Sequence, residues 1–115
     1  MKTVCNGREY TMVMLINPFT VFKGREDEFL RLWDQTGTIF RNSPGYINAK
    51  LCKALDEQPL KAAPYTHINV AEWESAALYR AALSDPEIRR LAPAYAEVCT
   101  FSPALYQIIR NQPAE

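Results

Sequence analysis

Residues 65–75, Tyr-Thr-His-Ile-Asn-Val-Ala-Glu-Trp-Glu-Ser, alternate with a period of two. That period predicts a strand. It places Ile68 and Val70 on one face, as plain core. It places His67, Asn69, Ala71 and Trp73 on the other. An imidazole, an amide and an indole then stand in a row. A buried polar group without a partner costs about 1–3 kcal/mol. Such a face must meet water, satisfy itself internally, or line a cavity that receives a ligand.

The remaining pattern supplies the other elements. Residues 1–10 are polar and patternless and are expected to be a mobile extension. Residues 11–17 are apolar on both faces, as in a strand covered on two sides, with Pro18 expected to end it. After Gly24 a helix is predicted, with Glu26, Asp27 and Glu28 at the positive end of its dipole. Phe29, Leu32, Trp33, Thr36 and Phe40 recur on one helical face. Gly37 inside that helix costs about 1 kcal/mol against alanine, so a close approach by another element is expected there. Ser43-Pro44-Gly45 stops the helix and turns the chain.

Residues 46–55 read as a second strand, and residues 56–64, with Pro59 and Pro64, as a loop. Ser75 can cap a short helix through Leu83. Ser84-Asp85-Pro86-Glu87 opens another, which Pro93 is expected to limit or kink. Residues 98–109 read as the last strand, with Pro103 marking a bulge or an edge, and residues 110–115 as a tail. The order β-α-β-β-α-β predicts an α+β, ferredoxin-like fold: an antiparallel sheet with helices on one face. The apolar first strand implies that the other face is covered too. A second copy of the chain, sheet against sheet, is the simplest cover, so a homodimer is expected.

Composition removes several function classes. With 115 residues the chain is one domain. Thirteen basic residues balance thirteen acidic ones with no basic stripe, so neither nucleic acid nor membrane is an expected partner. No apolar run approaches the ~20 residues of a membrane span, and the N-terminus lacks a signal-peptide core, so the expected location is the cytoplasm. Cys5, Cys52 and Cys99 form no ligand spacing and leave an odd count; Cys52 and Cys99 are expected as small core residues. One histidine and no acidic cluster give no expected metal site.

Three segments together resemble the antibiotic biosynthesis monooxygenase family of dimeric α+β barrels. They are Ile16-Asn17 with Gly24-Arg25-Glu26-Asp27-Glu28-Phe29, Ser43-Pro44-Gly45-Tyr46, and Asn69-Val-Ala-Glu-Trp73-Glu-Ser75. The resemblance spans roughly residues 11–109. In the branch that oxidises polyketide anthrones to quinones without a cofactor, an Asn, a Trp four residues on and a Tyr six further line the pocket. Asn69, Trp73 and Tyr79 match that spacing. That branch also uses a second Tyr and an Arg, near which stand Tyr65 and Arg89 or Arg90. The haem-degrading branch places an Asn seven residues before a Gly, as in Asn17 and Gly24. Its Trp and its iron-ligating His fall here on Ala82 and Ala92, so haem is not expected.

The resemblance thus implies a cofactor-independent monooxygenase that uses O2 as co-substrate on a quinol or anthrone. Asn69 and Trp73 are the catalytic candidates; Tyr79, Asn17, Trp33 and Tyr65 are the substrate-binding ones. His67 joins the catalytic candidates on the residues alone, because an imidazole on that face could take a phenolic proton. Each has a plain structural reading as well. Trp33 and Trp73 can be core, Asn69 can hold a neighbouring segment, Asn17 suits a turn before proline, and His67 can be a satisfied strand histidine. The alternatives in function are a non-redox polyketide-type cyclase and a non-catalytic ligand-binding barrel.

Overall fold

The computed structural model describes residues 9–115. Residues 1–8, most of the expected N-terminal extension, lie outside them. Strand β1 (Thr11–Val21) is followed by helix α1 (Glu26–Arg41), strands β2 (Tyr46–Lys53) and β3 (His67–Ser75), and helices α2 (Ala76–Leu83) and α3 (Pro86–Val98). Strands β4 (Cys99–Phe101) and β5 (Ala104–Gln107) end the fold. All pairings are antiparallel, in the order β2-β3-β1-β4, and β5 continues beside β1 where β4 stops.

Two local expectations give way to the same cause. Pro18 does not end β1, and the last strand is two short ones. Ile16 pairs with Ala104 and Phe19 with Phe101, so Asn17 and Pro18 face the gap at Ser102 and Pro103. A proline in an inner strand removes a ladder donor. Here the neighbouring strand is interrupted at the same level, so no donor is missed. The Asn17 side chain bridges the gap, its Oδ1 accepting from the Ser102 backbone N–H at 3.0 Å. Pro93 does not end α3 either. It stands on the exposed side, where solvent can satisfy the carbonyl its missing N–H leaves free.

The caps follow the sequence. Ser75 Oγ accepts from Leu78 N at 3.1 Å, and Asp85 Oδ1 from Glu87 N at 2.8 Å, with Pro86 at the first turn. Gly45 joins α1 to β2 with φ +91°, and a Cβ there would fall 2.6 Å from Leu78, so the turn packs directly on α2.

Register sorts the inward positions into layers. Val13 lies opposite Trp73, Leu15 opposite Ala71, Asn17 opposite Asn69 and Phe19 opposite His67. The first two layers belong to one apolar cluster, with Ala76, Tyr79 and Ala82 of α2. Phe19 belongs to a second, with Phe29, Val98 and Cys99. The Asn17–Asn69 layer stands between them.

All three helices cover the His67–Trp73 face. The Ile68 and Val70 face, expected as plain core, is the uncovered side and is half-buried. Cys52 shares that outer side, opposite Ile68, and is exposed rather than core; Cys99 is buried. None of the described helices is long and apolar enough to cross a membrane.

Candidate active site

Between the inner face of the sheet and the helices lies a cavity of about 620 Å³. Its walls are largely aromatic and aliphatic. Asn17, Trp33, Asn69, Trp73 and Tyr79, five of the residues singled out in the sequence, line it. Trp73 and Tyr79 do not close the space, although both are buried.

The amide of Asn69 links two elements. Its Oδ1 accepts from Trp33 Nε1 at 3.0 Å, joining β3 to α1. An indole nitrogen can only donate, so the bonded end of Asn69 must be its oxygen. The Nδ2 group is therefore the free end, and it has no hydrogen-bond partner among the described residues. Asn17 repeats the arrangement. Its oxygen is held by Ser102 N–H, which leaves its amino group free. The two residues are register partners on adjacent strands, so their Cβ atoms stand about 4.5–5.5 Å apart on the same face. Two amide oxygens are locked by the protein, and two amino groups are left to donate.

Trp73 is fully enclosed, at 0% exposure. Phe40, Tyr46 and Tyr79 surround it edge to face, with centroids at 5.3, 5.5 and 5.4 Å. Its Nε1 is the buried side-chain polar atom with no partner among the described residues. Burial pushes the Tyr79 hydroxyl up to about 12, so it stays a protonated donor. Burial likewise pushes Tyr95 up to about 12, with its side-chain hydrogen bond to Thr36 acting in the opposite sense. Thr36 Oγ1 donates to Leu32 O at 2.8 Å, so the 2.7 Å contact between Thr36 and Tyr95 has Tyr95 as donor.

His67 and Tyr65 fall elsewhere. His67 shares the strand face of Asn69 and Trp73 but does not line the cavity. It is 4% exposed and packs against Phe29. Nε2 lies 2.9 Å from Glu26 Oε2, and Nδ1 lies 2.8 Å from Thr66 Oγ1. Both ring nitrogens are thus engaged, and a carboxylate only accepts, so Nε2 carries the hydrogen. Tyr65 precedes β3, is 43% exposed and is absent from the cavity wall. The strand starts two residues later than its alternation suggests. Neither Arg89 nor Arg90 lines the cavity, and Arg90 pairs with Glu87 at 2.8 Å.

Tyr95, Ile88 and Leu91, which the sequence reading passed over, also line the cavity, together with Ala92. The signal was present: 88, 91, 92 and 95 form one helical face through Pro93. The wall lacks the histidine ligand of the haem-degrading branch. Ala92 presents a methyl group to the cavity, Ala82 is buried in α2, and among the described residues no His, Cys or Met lines the wall. Among the described residues no cluster of three or more His, Cys, Asp or Glu could hold a metal. Burial pushes the Cys99 thiol up to about 11, which leaves it inert.

The profile of the antibiotic biosynthesis monooxygenase family matches residues 12–94. The chain belongs to that family. A candidate monooxygenase from Shewanella loihica PV-4 is 31% identical, with 91% of this chain and 100% of that one covered and a TM-score of 0.70. SnoaB, a cofactor-independent oxygenase from Streptomyces nogalater, is 26% identical, with 90% and 99% covered and a TM-score of 0.73. An arginine-to-serine variant of MhuD, with two manganese protoporphyrin IX bound per active site, is 22% identical, with 89% and 99% covered and a TM-score of 0.65. That last likeness is one of fold. No curated protein matches the chain significantly. Membership and the likeness to the first two proteins support a monooxygenase-like function.

The Glu26 link has a testable consequence. Hydrogen bonds from Lys53 and then His67 hold the Glu26 carboxyl below the usual range. A depressed carboxylate adds stability that is present above its unfolded value of about 4.3 and lost as pH falls through the lower folded value. Urea unfolding at pH 6 and pH 3 is expected to show a steeper loss for the native chain than for Glu26→Gln. Parallel losses in the two proteins would remove Glu26 from the acid response.

Proposed function

We propose that this protein is a cofactor-independent monooxygenase that oxidises a flat, electron-rich aromatic, a quinol or polyketide anthrone, with O2. The observation that carries the reading is the pair of free amide donors, Asn17 and Asn69, set in an aromatic-walled cavity. Likeness to SnoaB supports the same reading.

The chemistry needs no external reductant. An anthrone loses a proton from its CH2 group, and the resulting anion gives one electron to O2. The substrate radical and superoxide then join in a C–O bond, and one proton completes a hydroperoxide. Loss of water breaks the O–O bond and leaves the quinone C=O. One oxygen atom enters the product and the other leaves as water.

The protein's tasks are to bind the ring, favour its anion and exclude bulk water. Asn69 and Asn17 donate toward the anionic oxygen. Trp73 backs the cavity wall with its indole, and its enclosed Nε1 lies beyond the reach of a ligand oxygen, so its part is to shape the wall. Tyr79 donates from α2. Among the described residues no imidazole or lysine lines the wall and its one carboxylate, Asp34, is exposed at the mouth, so the substrate proton leaves to solvent on that side. His67 acts as a positioning residue, tying β3 to the start of α1 through Glu26.

Metal-stripped protein is expected to consume O2 with anthrones or hydroquinones above the uncatalysed rate. Asn69→Ala is expected to lower the rate about 10- to 100-fold, since a hydrogen bond to a charged group contributes about 1.5–3 kcal/mol. Trp73→Phe is expected to lower it while the fold is retained. No uptake above background from folded protein, or product formed equally well without oxygen, would overturn the reading in favour of a binding module or a cyclase.

The uncovered sheet face adds a homodimer to the proposal. Met14, Ile16, Pro18, Ile68 and Val70 are half-buried there, and Tyr106 is exposed. A second copy, sheet against sheet, would cover them. Sedimentation velocity is expected to give a dimer for the native chain and a monomer for Val70→Glu. A native monomer at micromolar concentration would contradict it.

A further inference from the structure

Arg41, in the last turn of α1, is the one cationic side chain on the cavity wall among the described residues. It makes no ion pair among them. Its polar contact is a long one, Nη2 to Thr38 Oγ1 at 3.4 Å. Arg41, Thr38 and Asp34 are exposed lining residues of α1 and mark the cavity mouth.

The guanidinium is folded back along the helix. Arg41 Nη1 lies 3.8 Å from the point where a Cβ on Gly37 would stand, and no atom of another element comes within 4 Å of that point. Helical side chains lean toward the N-terminus, so residue 41 falls over residue 37 when residue 37 has no bulk. Gly37 sits in the inward stripe with Trp33, Thr36 and Phe40. The close approach expected from the sequence does not occur, because no neighbouring element reaches it. A glycine in a helix interior lowers helix stability relative to alanine. What it leaves is a notch at the mouth in which the guanidinium lies.

The mouth is also polarised. Asp34 lines the same cavity seven residues earlier, about 10 Å along the helix axis. The Arg41 end is positive and the Asp34 end negative. A ring entering between them is oriented if it carries charge at one edge.

We propose that Arg41, lying over Gly37, binds an acidic substituent of the ring substrate, a carboxylate on the edge that faces the mouth. The inference rests on the oxygenase reading for the reaction, but not for the binding. A guanidinium presents a planar fork that matches a carboxylate bidentately. An arginine in a last helical turn also complements the helix dipole. That role acts on stability and leaves ligand preference unchanged.

Trp33 and Trp73 in the wall report occupancy by fluorescence quenching, independently of turnover. The probes are anthraquinone-2-carboxylate and 2-(hydroxymethyl)anthraquinone, titrated at low salt and at about 0.5 M salt. The carboxylate is expected to bind roughly tenfold more tightly, with the advantage shrinking in salt. Arg41→Gln is expected to abolish the preference and leave the neutral probe within about twofold; Arg41→Lys is expected to keep part of it. Gly37→Met, which fills the notch, is expected to lower the preference with Arg41 still present. Equal affinities in the native protein, or a preference that survives Arg41→Gln, would overturn the proposal. Binding of neither probe would overturn it together with ring binding in the cavity. A preference found in protein that consumes no O2 would support this inference and remove the oxygenase reading alone.

Discussion

The hydrogen bond from Trp33 Nε1 to Asn69 Oδ1 sets the chemistry of the cavity. The indole can only donate, so it takes the amide oxygen and turns the amino group outward. The same bond ties the long helix to the middle of the sheet. It does so at the layer where the apolar core is interrupted: clusters around Trp73 and around Phe29 pack on either side of Asn17 and Asn69. A polar layer in a core is tolerated when its members are satisfied. Here satisfaction is half internal and half directed at the cavity.

Asn17 reaches the same state by a different route. Its oxygen is held by the backbone of Ser102, where β4 gives way to β5. Pro18 and Pro103 create that break from both sides, and Asn17 closes it. An interruption of the sheet is thereby converted into a second oriented donor. Neither amide is free to rotate its oxygen into the cavity, so the pair favours an anionic oxygen over a proton donor.

Much of the fold was legible in the chain. The alternation at 65–75, the stripe from Phe29 to Phe40, and the caps at Ser75 and Asp85 depend on neighbours close in sequence. The breaks were harder, because Pro18 is tolerated only where a strand some 85 residues away also breaks. At the site, Asn69 and Trp73 share a face by alternation, and Tyr79 is singled out by the spacing of the family that the chain resembles. His67 looked equivalent to Asn69 by alternation, yet its layer lies one step further along the strand, where Glu26 and Thr66 engage it. Period two assigns a face; it does not say which level of that face a cavity occupies. The helical face that carries Tyr95 was legible, but that this face and Arg41 meet at one cavity depends on how α1 and α3 pack, which local pattern does not carry.

The measurement that bears most directly on the central claim is oxygen labelling. Metal-stripped protein, an anthrone and 18O2 in ordinary water, quenched within a few turnovers, would be read by mass spectrometry. One 18O is expected in the newly formed quinone carbonyl and the other in water. Unlabelled quinone, or the same product formed without oxygen, would contradict it.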